Sequence, residues 1–277
     1  MNGYRKIFFS VFFLFISYHV YADLLIFAGS AVKPPLDEIA KKYSIQCDCK
    51  INVSYGGSGF VLSQMELSER GDIYFPASPD FMEKAKKKKI VLPETEKKIA
   101  YLIPVINVQK GNPKGIKTLA DLEKPGIRIS VGNPQSVCIG LYAVEIMEYN
   151  GMLDRIWNKI AVSVESCEKV AAVLAIGTVD AIVGWNVFEK WHSERIGTVW
   201  LNPSEIPRIA YIPVVVSKFS KNRDLALKFI EFLGSEYSLE IFRNNGYITS
   251  EIEARKYAPS AKLGGEYNLP EKLMPGR

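Results

Sequence analysis

Residues 23–43 read DLLIFAGSAVKPPLDEIAKKY, and this pattern decides the fold. The run at 23–28 predicts a buried strand and Gly29-Ser30 its turn. Leu36, Ile39, Ala40 and Tyr43 then fall at i, i+3, i+4 and i+7, one face of a helix. The unit recurs. Residues 51–55 predict a second strand, Gly56-Gly57-Ser58-Gly59 its turn, a helix follows through about Glu69, and 72–75 predict a third strand. The middle repeats it with a strand at 127–131, a Gly132-Asn133-Pro134 turn and a helix at 137–149. Next come a strand at 160–164, Ser166 and a helix through Ile176, and a strand at 181–183. Ala226, Phe229, Ile230 and Leu233 mark a late helix. The Pro- and Gly-bearing residues beyond about 250 are expected to be irregular. Strands linked by helices imply right-handed crossovers and mixed, mostly parallel sheets flanked by helices, an α/β fold.

Working outward, residues 99–105 read IAYLIPV and residues 209–214 read IAYIPV. Two similar β segments therefore bracket a stretch with its own strand–helix units. The simplest topology has a first lobe of residues 23–104 and 213–277, a second lobe of 105–212, and the two echoing strands as crossovers. Hinged two-lobe proteins bind ligand in the cleft between lobes.

Residues 1–22 form a separate object. Arg5 and Lys6 precede the apolar run IFFSVFFLFIS at 7–17, and Val20-Tyr21-Ala22 resembles an A-x-A cleavage signal. The run is too short for a membrane span, which needs ~20 residues, and fits a signal peptide cleaved after Ala22. A periplasmic protein is expected. The 277 residues are 48% hydrophobic and 23% charged, which excludes a disordered chain, a collagen and a disulfide miniprotein. Lys and Arg exceed Asp and Glu by only 35 to 30, so nothing demands nucleic acid, and two histidines argue against His-rich metal sites.

In open α/β sheets, ligands bind beyond the carboxyl ends of the strands, where loops enter helices. Unpaired N–H groups and a partial positive charge there suit an anion. Four predicted helix starts carry small or hydroxyl residues: those at Ser30, at Ser58, at residues 134–140 and at 165–168. Two fall in each lobe. Ser30, Ser58 and Ser166 could each be an ordinary helix cap. Together the four starts point to an anion cleft. A site of neutral donors suits a fully ionised oxyanion, because it offers no acceptor to a protonated one.

The segments LLIFAGSAVKPPLDEIAKKY (24–43), VSYGGSGFVLSQMELSERGDIYFPASPDFMEKA (53–85), RISVGNPQSVCIGLYAVEIM (128–147) and VAAVLAIGTVDAIVGW (170–185) carry a resemblance. In order and spacing the chain, from about Leu24 to Ile248, resembles the periplasmic molybdate/tungstate-binding proteins of ABC importers. The resemblance implies a two-lobe periplasmic binding fold, no cofactor beyond the molybdate or tungstate ligand, and an ABC permease in the cytoplasmic membrane as partner. It also implies a monomer without catalysis. Carried over by residue, the ligand contacts are the Ser30 and Ser58 hydroxyls and the backbone N–H groups of Ile139 and Cys167. Trp185 stands where the family often has tyrosine; it keeps one donor on a bulkier ring. No resident metal is implied.

The carried-over contacts make Cys138 and Cys167 neighbours, and a disulfide between them is the leading expectation in an oxidising compartment. Free structural thiols, or thiols binding a thiophilic species such as arsenite, are the other readings. Cys47 and Cys49 lie away from the cleft; pairing with each other, pairing with another chain and remaining free all stay open. The alternative function is a binding protein for another oxyanion or an arsenic species, feeding a sensor kinase. An enzyme with a cysteine nucleophile would need a base, and only Glu165 and Glu168 lie in the helix starts. Lys86 to Lys89 is expected to be a solvated face, Trp157, Trp191 and Trp200 packing residues, and His192 structural or exposed.

Overall fold

The computed structural model describes residues 23–274, so the signal-peptide expectation lies outside the described residues. Strand β1 (Asp23–Gly29) is buried from Ile26 onward because both of its faces are apolar and covered. It pairs in parallel with β2 (Lys50–Gly56) and β3 (Ile73–Phe75). Helices α1 (Lys33–Cys47) and α2 (Ser58–Ser68) make those crossovers, and α3 (Pro79–Lys87) leads to β4 (Lys97–Leu102). A second series follows: β5 (Pro104–Gln109), β6 (Ile129–Gly132), α4 (Cys138–Tyr149), α5 (Leu153–Trp157), β7 (Ile160–Val164), α6 (Cys167–Ala175), β8 (Ala181–Trp185), α7 (Phe188–Trp191) and β9 (Ile196–Val199). The chain closes with β10 (Arg208–Val216), α8 (Arg223–Leu233), α9 (Glu236–Asn244), α10 (Glu251–Tyr257) and β11 (Lys262–Leu263).

These strands form two mixed sheets flanked by helices, one per lobe. The first runs β11-β10-β3-β1-β2 with β4 on β10, and the second β7-β6-β8-β5-β9. The chain leaves the first sheet after Leu102 and returns at Arg208. The echoing segments lie side by side: β4 and β10 pair antiparallel, with Ala210 opposite Leu102 and Tyr211 opposite Tyr101. The sequence places the return at Pro213, but β10 already belongs to the first sheet from Arg208. Its register shifts between Ile212 and Pro213, where a residue without an N–H is tolerated at a bulge.

Arg208 ties the lobes together from below 2% exposure. Its guanidinium donates to Asp80 of α3 at 2.8 Å and to Glu145 of α4 at 2.8 Å, one acid from each lobe, and to the Gly265 carbonyl at 2.7 Å. Burial pushes the Glu145 carboxyl up, against the pull of Arg208. The tail is more ordered than expected. In α10, Glu251 and Glu253 occupy the first turn and Arg255 and Lys256 the last, matching the helix dipole. Beyond it the chain straps across both lobes: the Tyr267 N–H donates to Asp80, and Gln135 of the second lobe donates to the Leu273 carbonyl. No helix among the described residues is long and apolar enough to cross a membrane.

Candidate functional site

In the first lobe, the end of β1 delivers Ser30 into a short 3-10 turn (Ser30–Val32), and Ser58 is the first residue of α2. Both are buried. A Cβ added at Gly29 would stand 2.7 Å from Ser58 Oγ, so the two turns are in contact. Ser58 Oγ accepts the Ala77 N–H at 3.1 Å, which leaves its own hydrogen for another acceptor. Neither serine caps a helix. Gly57 holds the cap position of α2 with no side-chain bond, whereas Ser166 caps α6 by accepting the Lys169 N–H at 3.2 Å. The capping reading therefore holds for Ser166 and not for the other two.

The second lobe presents backbone. The first-turn N–H groups of a helix lack intrahelical acceptors and lie at its positive end. Cys138 and Ile139 open α4, and Cys167 opens α6. The start of α4 sits tightly on the end of β6: a Cβ at Gly140 would lie 2.0 Å from the Gly132 carbonyl oxygen, so only glycine permits this seat. The two lobes touch here. The Glu168 N–H reaches Ser30 Oγ at 3.4 Å, and the Gly59 N–H donates to the Ser136 carbonyl at 2.8 Å. A Cβ at Gly57 would stand 2.7 Å from the carbonyl oxygens of both Glu165 and Ser136. The cleft is closed.

Trp185 ends β8, fully buried. The next residue, Asn186, clamps the crossover by accepting the Ile103 N–H at 2.9 Å and donating its own N–H to the Ile103 carbonyl at 3.0 Å. The Trp185 indole N–H makes no well-aligned hydrogen bond among the described residues, yet it acts on the Cys138 thiol as a donor, pulling that thiol down against the larger effect of burial. Its ring meets Tyr142 edge-on with centroids 5.1 Å apart, and Arg208 lies 4.2 Å from the centroid of Tyr142.

The Cys138 and Cys167 sulfurs are 3.5 Å apart and both cysteines are free, so the expected disulfide is not formed. The sulfurs at bonding distance are instead those of Cys47 and Cys49. The resemblance brought Cys138 and Cys167 to one place, but two buried thiols can pack in contact without bonding. Burial pushes the Cys138 thiol well up, helped by the neighbouring Cys167. Tyr74 and Tyr247 of the first lobe are buried too: burial raises both phenols, and for Tyr247 a hydrogen bond with Trp191 opposes it. Tyr74 donates to the Ser58 carbonyl at 2.9 Å, and Tyr247 donates to the Ala31 carbonyl.

The structure thus brings Ser30, Ser58, Ile139, Cys138, Cys167 and Trp185 to one interlobe region. Sequence reasoning missed Tyr74, Tyr142, Tyr247 and Asn186. Only Tyr142 carried a signal, because Cys138, Tyr142 and Glu145 are spaced i, i+4, i+7 on one helix face. At the mouth, a cavity of about 680 Å³ is lined by Ser30, Tyr55, Phe60, Glu165, Glu168 and Lys169. A larger one, about 830 Å³, runs along the edge strand β2 near Cys49, away from these helix starts. The lysine run is a surface face: Lys86 pairs with Glu83 and Glu96, and Lys88 with Glu66. Trp200 is exposed and stacks on Tyr257 at 4.6 Å.

This architecture, with helix starts from two lobes meeting at a cleft, is that of a solute-binding protein. Residues 24–248 match the family model described as bacterial extracellular solute-binding protein, and the chain belongs to that family. The molybdate-binding protein ModA of Escherichia coli is 23% identical over 234 residues, covering 81% of this chain and 88% of that protein. The periplasmic molybdate-binding protein of Azotobacter vinelandii has a similar fold, with TM-score 0.71, 19% identity, and coverage of 82% of this chain and 100% of that one. So does the sulfate-binding protein SubI of Mycobacterium tuberculosis, with TM-score 0.75, 16% identity, and coverage of 88% and 94%.

Proposed function

We propose that this chain is an exported, non-enzymatic binding protein that captures a tetrahedral oxyanion, molybdate or tungstate, between its lobes and hands it to the permease of an ABC importer. The observation that carries this reading is the chemistry of the closed cleft. The Ser30 and Ser58 hydroxyls, the first turns of α4 and α6 and the Trp185 indole N–H are all hydrogen-bond donors. A dianion gains from each of them without a counter-charge. The molybdate-binding relatives and the family's extracellular placement support the same reading. Sulfate is a second reading, because Trp185 puts a larger ring where the resemblance places tyrosine and so favours a smaller anion.

Calorimetric titration with molybdate, tungstate, sulfate and phosphate tests the proposal. One molybdate or tungstate per chain is expected. Phosphate should bind roughly 5- to 150-fold more weakly, since its O–H lacks an acceptor at a cost of about 1–3 kcal/mol. Sulfate binding tighter than molybdate selects the second reading. Phosphate binding as well as molybdate defeats both.

A further inference from the structure

The oxyanion reading uses the backbone of Cys138, Ile139 and Cys167 and leaves two buried thiols without a role. Their sulfurs lie 3.5 Å apart, both buried, at the starts of the two second-lobe helices α4 and α6. We propose that Cys138 and Cys167 form a dithiol that binds trivalent arsenic, condensing with arsenous acid when the lobes open.

Geometry is the first support. A disulfide needs sulfurs at about 2.05 Å, well inside the observed spacing. Two sulfurs bound to one pyramidal trivalent centre through bonds of about 2.3 Å, at an angle near ~100°, are ~3.5 Å apart. A single inserted atom therefore asks for far less movement than a bond between the sulfurs. Ligand count is the second support. Among the described residues no cluster of three or more His, Cys, Asp or Glu could hold a metal ion, so the site suits a centre satisfied by two sulfurs and an oxygen. Charge is the third. Burial holds the Cys138 thiol protonated, and arsenous acid is itself neutral near pH 7.

The step balances without an oxidant. As(OH)3 meets two S–H groups; two As–O bonds and two S–H bonds break, and two As–S bonds form. The two hydroxyls leave with the two thiol protons as water. Arsenic stays trivalent and keeps one hydroxyl, and the complex is neutral. The Trp185 N–H makes no well-aligned hydrogen bond among the described residues and acts on Cys138 as a donor, so once that sulfur carries arsenic it can turn to the remaining oxygen.

The test uses the full chain carrying Cys47→Ser and Cys49→Ser, so that only one thiol pair remains, reduced with a phosphine. After incubation with sodium arsenite and gel filtration, one arsenic per chain is expected by elemental mass spectrometry. Retention should fall at least tenfold in Cys138→Ala and in Cys167→Ala. Protein that retains no arsenic, or retention undiminished in both variants, overturns the proposal. Should the alanine variants fail to fold, peptide mapping after alkylation decides. Arsenite must shield both Cys138 and Cys167 from iodoacetamide, and equal labelling with and without arsenite overturns the proposal. Molybdate titration of the same samples separates the two readings. Arsenic binding without molybdate binding removes the oxyanion proposal and keeps this one, and the reverse result removes this one alone.

Discussion

The two lobes equip the cleft differently. The first brings side chains: Ser30 and Ser58 are hydroxyls mounted where β1 and β2 end, and neither is used as a helix cap. The second brings backbone: Ile139 and Cys167 offer N–H groups at the starts of α4 and α6 whatever side chains they carry. Residue identity is therefore informative on one side and almost silent on the other. On the proposed reading, the backbone side would select its ligand by where the helix starts are seated, and the close approach of Gly140 to the Gly132 carbonyl sets that seat. Substitution should expose the asymmetry directly.

The largest effect is expected from removing the hydroxyls. On the proposed reading each serine gives a hydrogen bond to a charged ligand worth about 1.5–3 kcal/mol, so Ser30→Ala and Ser58→Ala should each lower molybdate affinity roughly 10- to 150-fold. Their effects on the fold should diverge. Ser58→Ala strands the Ala77 N–H, bonded at 3.1 Å in a buried position, at a cost of about 1–3 kcal/mol of stability. Ser30→Ala gives up only the long 3.4 Å contact from Glu168. Calorimetry and thermal denaturation on the two variants and the double variant check both statements. Wild-type affinity in the double variant would break the side-chain half of the comparison.

The next effect belongs to the seam between lobes. A methyl group at Gly57 would meet two backbone carbonyls of the opposite lobe, and backbone cannot swing aside as a side chain can. The residue has φ −61° and ψ 141°, ordinary values for alanine, so the first lobe itself should accept Gly57→Ala. The strain then appears only on closure. Overpacking of about 1–3 kcal/mol implies an affinity loss of roughly 5- to 150-fold. Small-angle scattering with saturating molybdate should show the variant with a larger radius of gyration than the wild type. Equal radii and equal affinities would show that this contact is not part of the bound state.

The strand–turn–helix units were legible because each is local: the apolar run, the small-residue turn and the amphipathic face lie within one short stretch. The echo at 99–105 and 209–214 was legible as a pair of crossovers. That they are cross-strand partners depends on long-range pairing that no local pattern carries. Ser30, Ser58 and Ser166 look alike in sequence. Their different uses turn on a shift of one residue, since Gly57 occupies the cap position that Ser166 occupies in α6. Tyr74 and Tyr247 left no signal, because they reach the carbonyls of Ser58 and Ala31 only through tertiary packing. The charges of α10 were readable at 251–256 and were masked by the Pro- and Gly-rich residues after them. The strap beyond it was not, because its partners Asp80 and Gln135 are distant in sequence.

The smallest effect on affinity, and the sharpest test of the backbone half, is expected at Ile139. The side chain is fully buried and belongs to the core that packs α4 on its sheet. Ile139→Val removes one methylene and should cost about 0.5–1.5 kcal/mol of stability, read as a lower unfolding midpoint. The peptide N–H of residue 139 survives, and Gly140 still seats the helix start on β6. Molybdate affinity should then change by less than about 0.5 kcal/mol, roughly twofold. A serine variant in the first lobe, by contrast, loses its donor outright. If Ile139→Val weakens binding as much as Ser30→Ala, the side chain itself meets the ligand, and the division between a side-chain lobe and a backbone lobe fails. If stability falls while affinity holds, the donor on that side is the peptide group.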